Sequence, residues 1–245
     1  MRKFSMSVLL VMITMLVLMT ACGKEKEEYP DQQDQQQEQD EGKRINVGDV
    51  VEFGVYEQDN NSSNGKEAIQ WIVLDKKDDK VLLFSKYCLN LREYNASVNR
   101  TGVWERSDIR EWLNGDFMDS AFTMDEMEVI SYQPLINADS EQYGTNGGEK
   151  TIDQVFLLSE NEITQYFPNK EDRRALPTAY AKAQTKYSLI GVTGYCVYWL
   201  RSPGKDASYP MAIDYFGNLS GELYLAHNDG AGVRPAIWVY YSEGK

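Results

Sequence analysis

The 245-residue chain has one histidine, His227, and three cysteines, Cys22, Cys88 and Cys196. Zinc sites built from clustered His and Cys therefore cannot be assembled, and most redox and haem chemistry goes with them. A Ser-His-Asp device would have to use His227, which lies in a Gly-rich loop, and no G-x-S-x-G nucleophile elbow accompanies it. Positive charge is also scarce, with 25 Lys and Arg against 38 Asp and Glu and a formal charge of −13. Such a surface repels phosphate backbones, which argues against nucleic acid as a partner. Only one long apolar run is present, so a multi-span membrane protein is excluded. With 42% hydrophobic and 26% charged residues, the remainder has the composition of a folded soluble domain.

That single apolar run is Phe4 to Met19, preceded by the positive Met1-Arg2-Lys3 and followed by Thr20-Ala21-Cys22. This is the layout of a secretory signal peptide. Ala21-Cys22-Gly23 resembles the lipobox of bacterial lipoproteins, although Met19 stands where that family usually has Leu. The resemblance implies that residues 1–21 are removed, that Cys22 is lipidated, and that the mature domain is tethered to the cell membrane facing outside the cytoplasm. Loss of Arg2 and Lys3 would take the formal charge from −13 to −15. Two acyl chains give stable anchoring where one is marginal. A retained membrane-spanning helix competes with this reading, since the stretch approaches the ~20 residues of a span. Against it, the charged, Gln-rich sequence after Cys22 offers no stop-transfer continuation. Gly23 to Arg44 carries six Gln, eight acidic and four basic residues with almost nothing to bury, and is expected to be a disordered spacer.

Residues 45–245 have the length of a single core and show no internal repeat. Val47 to Tyr56 is strand-like, and Ile69 to Leu74 with Val81 to Ser85 predicts a β-hairpin across a charged turn, Asp75 to Lys80. From Trp104 to Leu113 the spacing becomes helical, with Ser107 as N-cap and Asn114-Gly115 as the stop. Capping boxes predict helix starts at Thr123 and Ser159, the second after a strand over Gln154 to Leu158. A short helical piece follows Pro177. Strand character returns over Tyr195 to Leu200, Met211 to Tyr215, Leu219 to Ala226 and Val233 to Tyr241. The expectation is a single β-rich α+β domain with short helices.

In order, Phe53-Gly54, Trp71, Ser85-Lys86-Tyr87, Tyr94-Asn95, the IREWLN segment at Ile109, the VFLLS segment at Val155, the WLRSPG segment at Trp199 and the GVRPA segment at Gly232 form a recognisable series. It resembles a bacterial domain family of unknown function found mainly in exported and surface proteins of Gram-positive bacteria. The family is in turn distantly similar to the C-type-lectin-like fold of formylglycine-generating (sulfatase-modifying-factor-like) enzymes. That similarity implies architecture, not activity. The enzymes hold copper through two cysteines close in sequence, whereas Cys88 and Cys196 lie more than a hundred residues apart, so the activity is not carried over. Calcium-dependent lectins use an acidic/amide pair that Asn228-Asp229 echoes without the usual Pro-containing partner motif.

Each candidate site residue has a plain structural alternative. Arg201 and Arg234, with Trp199, would serve as a ligand clamp for a carboxylate or phosphate, or as buried structural guanidinium groups held by a carboxylate or several carbonyls. Asp206, Asp214, Asn228 and Asp229 would supply oxygens to a cation such as calcium, or stabilise ordinary turns. The many aromatic residues would build a sugar platform or fill the core, the latter being the default for Trp71, Trp112 and Trp238. Cys88 and Cys196 would form a disulfide or stay as two buried thiols. No cofactor is evident beyond the calcium reading. The sequence points to an anchored extracytoplasmic binding module for a cell-wall glycan, envelope component or surface protein, with an enzyme using carboxylates or a cation as the alternative.

Overall fold

A computed structural model of the chain describes residues 44–97, 100, 102–184, 190–191, 193–227 and 230–241. The lipobox Cys22, the spacer up to Lys43, Asn228 and Asp229 lie outside these. Residues Asn46–Tyr240 make up one α+β unit in which two five-stranded sheets carry most of the core.

The first sheet begins with β1 (Val50–Tyr56), β2 (Glu67–Lys77) and β3 (Lys80–Ser85), joined as an antiparallel meander. The expected hairpin is present. Its turn is tighter than the charge pattern suggested, because β2 runs on to Lys77 and only Asp78-Asp79 turn, with Asp78 at φ 56°. Along β2 the alternate residues Ile69, Trp71 and Val73 are completely buried, the period of a half-buried strand. A register shift before Asp75 lets Leu74 turn inward as well. The Trp71 indole N–H donates to the Phe53 carbonyl at 2.7 Å, so the ring is fixed from β1.

The second sheet's first strand, β4 (Asn90–Arg92), is short and buried and has no periodic signature. The helical middle follows, with α1 (Asp108–Trp112) capped by the Ser107 hydroxyl, which accepts from the Arg110 N–H as expected. Asn114-Gly115 does not stop the helix. The backbone widens into a π-turn over Leu113–Phe117 and continues as α2 (Met118–Ala121), since Phe117, Met118 and Ala121 all bury. Asn114 instead acts as a bracket: its carboxamide donates to the Val155 carbonyl at 2.8 Å and accepts the Gln154 and Val155 N–H groups. Both limbs of the capping box at Thr123 form and open α3 (Met124–Val129).

A two-stranded ribbon, β5 (Gln133–Leu135) with β6 (Thr151–Asp153), precedes β7 (Val155–Phe156), which is much shorter than the strand expected there. The second capping box opens α4 (Glu160–Tyr166), followed by α5 (Lys170–Arg173) and by α6 (Ala179–Ala183), which is capped by Thr178. Strands β8 (Tyr198–Pro203), β9 (Pro210–Ile213) and β10 (Leu219–Ser220) continue antiparallel. Strand β11 (Ala231–Val233) inserts between β8 and β4, and β12 (Ala236–Tyr240) crosses back to pair with β3 and β7.

The two motif segments near the C-terminus are therefore structural junctions. In GVRPA, Gly232 lies in β11 opposite both Tyr198 and Leu91. A Cβ there would meet the Cys88 sulfur at 2.6 Å, so only glycine leaves room for it. Arg234 and Pro235 then carry the chain from the second sheet to the first. In WLRSPG, a Cβ on Gly204 would collide with the carbonyls of Tyr209 and Gly221, both at 2.3 Å.

Candidate functional site

Trp199, Arg201 and Arg234, the expected clamp, are all enclosed. Trp199 is fully buried, with its indole N–H donating to the Arg92 carbonyl at 2.8 Å. Arg234 is 2% exposed. Its Nε donates to the Ser85 carbonyl at 2.7 Å and one Nη to the Arg173 carbonyl at 3.3 Å. The guanidinium also packs over the rings of Phe84, Tyr198 and Phe167 at 4.1, 5.4 and 5.8 Å. Carbonyls and π-faces thus offset its desolvation at the crossing between the sheets.

Arg201 is held by a carboxylate. Its two Nη groups grip Glu162 in bidentate fashion, one to Oε2 and the other to Oε1 at 2.8 Å, and the first also donates to the Leu157 carbonyl at 2.9 Å. Glu162 is also the reciprocal limb of the capping box, accepting the Ser159 N–H at 2.8 Å. One glutamate thus joins β8 to the start of α4. The structural alternative explains these arginines: all three side chains are buried away from solvent, and the enclosed Arg201 Nε has no hydrogen-bond partner in the structure.

Burial pushes the Glu162 carboxyl upward, but the Arg201 hydrogen bonds and charge, with help from Ser159, outweigh it and hold the group below its ordinary value of 4.5. A carboxyl held low in the folded state binds fewer protons than in the unfolded chain. Its stabilisation is complete above the ordinary value and is lost as pH falls through the folded one. A Glu162→Gln chain should therefore melt lower at neutral pH, yet lose less melting temperature than the parent between about pH 6 and 3. Parallel melting curves over that interval would contradict the assignment.

Asp206 and Asp214 stand at opposite ends of β9. Asp206 accepts the Ser208 N–H at 2.8 Å, and Asp214 accepts the N–H groups of Phe216 and Asn218 at 2.8 and 2.9 Å, so both do turn chemistry. A four-residue strand between them spans roughly 13 Å, too far for one cation with oxygen ligands at about 2.4 Å. Asn228 and Asp229 fall outside the described residues. The tryptophans mostly fill the core: Trp71, Trp104 and Trp199 are fully buried, Trp112 is buried and Trp238 is half-buried. Cys88 and Cys196 are both buried, with their sulfurs 2.7 Å apart.

Two open surface concavities stand out among the described residues. One, of about 330 Å³, is lined by Asp206, Pro203 and the Glu105–Arg106 pair. The other, of about 340 Å³, is bounded by Gln58, Asp59, Glu67, Gln70, Tyr87 and Thr178. It lies between the β1–β2 loop and the segment entering α6. At its rim Glu57, Asp59 and Glu67 bring carboxylate oxygens within 4.8 Å of one another, the one such group of three among the described residues. Much of that charge already organises the loop. Glu67 accepts the Gln58 N–H at 2.7 Å, and Asp59 accepts the Asn61 N–H at 2.8 Å and the Asn64 carboxamide at 2.7 Å. Lys86 sits over the Tyr87 ring at 5.3 Å and donates to Gln70 at 3.1 Å. This wall was not singled out from sequence. Its signals were the Asn-rich stretch between two strands, DNNSSNG from Asp59, and the aromatic residue of Ser85-Lys86-Tyr87.

Residues 78–241 match a family described as a domain of unknown function (DUF6273). No curated protein and no solved structure is detectably similar.

Proposed function

The chain belongs to the DUF6273 family, and from that premise we propose that it is a lipid-anchored, extracytoplasmic binding module for a cell-envelope ligand, a glycan before a surface protein. The proposal takes the Ala21-Cys22-Gly23 lipobox as its address and residues 23–44 as the reach between membrane and domain. A C-type-lectin-like arrangement belongs to the same proposal, since the final strands cross between sheets at a Gly-aliphatic-Arg segment.

The observation that carries it is the wall of the 340 Å³ concavity. It sets one half-buried tyrosine ring beside amide and carboxylate side chains on a surface open to solvent. Flat rings cover the apolar faces of sugars, and amides and carboxylates answer their hydroxyls. The acidic rim formed by Glu57, Asp59 and Glu67 supports a cation-assisted form of the same binding, with calcium the ion that suits oxygen ligands. Net negative charge disfavours anionic polymers and favours neutral or amine-bearing saccharides and peptides.

Retention of the full chain in detergent on cell-wall sacculi and a glycan panel, with and without chelator, tests this. Saturable retention is expected, and sensitivity to chelation would assign the acidic rim to a cation. No retention on any glycan would overturn glycan binding.

A further inference from the structure

Cys88 and Cys196 occupy one enclosed pocket of the second sheet. Cys88 precedes β4 and Cys196 precedes β8, and the strand between those two is β11. Both residues are 0% exposed, and their sulfurs approach to 2.7 Å although 108 positions separate them in sequence. The Cys88 sulfur stands over Gly232 of β11, where any Cβ would lie 2.6 Å from it. The flanking backbone is fixed on both sides. Cys88 bridges to Pro177 and Cys196 to Ala175, two positions of one segment, with the Cys88 N–H donating to the Leu176 carbonyl at 3.0 Å and the Cys196 N–H to the Ala175 carbonyl at 2.9 Å. Closing from this separation to a bond of about 2.05 Å asks each sulfur to move only about a third of an ångström.

We propose that Cys88 and Cys196 form a structural disulfide that clasps β4 and β8 across Gly232. The proposal rests on the extracytoplasmic reading, since such bonds persist in oxidising compartments. Its formation needs a disulfide donor, which we assign to the class of extracytoplasmic thiol–disulfide oxidoreductases. One cysteine thiolate attacks the donor disulfide and releases a donor thiolate. The second cysteine then attacks the mixed disulfide and releases the other, so that two S–H bonds are lost, one S–S bond forms, and two electrons and two protons leave with the donor as a dithiol. In the folded chain burial, reinforced by Cys88, pushes the Cys196 thiol well above its usual range. The protonated thiol is a poor nucleophile, so the exchange belongs to folding, before β11 closes over the pair.

The test is a peptide map of the full chain isolated from producing cells, with free thiols alkylated at lysis. The expected result is a linked pair of peptides containing Cys88 and Cys196, with Cys22 outside it, and a melting temperature that falls by roughly 10 °C or more on reduction. Recovery of both cysteines alkylated, or of either linked to Cys22, would overturn the proposal. Refolding the reduced full chain in a glutathione redox buffer separates the two possible failures. A bridge that forms there but is absent from cells contradicts the extracytoplasmic reading. Absence in both contradicts the geometry. The map requires no variant, so a Cys88→Ala chain that fails to fold does not affect it.

Discussion

A chain that begins at Asp78, where the DUF6273 match begins, should fail to fold. The match starts in the turn between β2 and β3, so such a chain keeps β3 and loses its partner β2 together with β1, which pairs with β2. Strand β2 pairs with β3 from Trp71 opposite Ser85 to Lys77 opposite Lys80, and contributes the fully buried Ile69, Trp71 and Val73. Losing a buried Trp costs about 3–5 kcal/mol, and each buried aliphatic side chain about 1.5–3 kcal/mol. The sum approaches the 5–15 kcal/mol that holds an ordinary domain together. Circular dichroism of 78–245 should show no cooperative melt, whereas 45–245 should melt cooperatively. A cooperative transition in the shorter chain would show that β1 and β2 are accessory.

The second large effect is expected at Arg201. Truncation to alanine leaves Glu162 partly buried and without its bidentate partner, which costs about 3–5 kcal/mol for a buried pair broken on one side. For a domain of this size that lowers the melting temperature by roughly 10 °C. Replacing both partners by apolar residues, Arg201→Met with Glu162→Leu, should recover part of the loss, because no uncompensated charge is left behind while the Ser159 N–H and the Leu157 carbonyl still lose a side-chain partner. A ligand-clamping arginine would behave differently, with little change in stability and a loss of binding.

Local interactions explain what was legible in the sequence. Capping boxes at Thr123 and Ser159, the cap at Ser107, the short helix after Pro177 and the β2–β3 hairpin all depend on residues a few positions apart, and all are present. The α+β class followed from them. What was not legible is non-local. Nothing near Arg201 announces Glu162, 39 residues away, although both stand in segments that resemble the family. The three-residue strands β4 and β11 are buried on both faces or nearly so, which erases the alternation that would mark them. Asn114-Gly115 read as a helix stop because the stop signal is local, whereas the bracket between Asn114 and Val155 that carries the helix past it spans 41 residues. The acidic rim combines the β1–β2 loop with its flanking strand residues, and only the turn that packs them together gives Glu57, Asp59 and Glu67 a common position.

Ligand binding is assigned to the concavity beside Tyr87, and the most direct measurement is retention of the full-length Tyr87→Ala chain on the glycan or sacculus fraction that retains the parent. The ring is half-buried at the surface and caps no backbone group in the described contacts, so its loss should leave the melting temperature within a few degrees. Retention is predicted to weaken at least about tenfold, the equivalent of ~1.4 kcal/mol of lost stacking. Undiminished binding by a stably folded Tyr87→Ala chain would contradict the assignment of this wall as the binding surface.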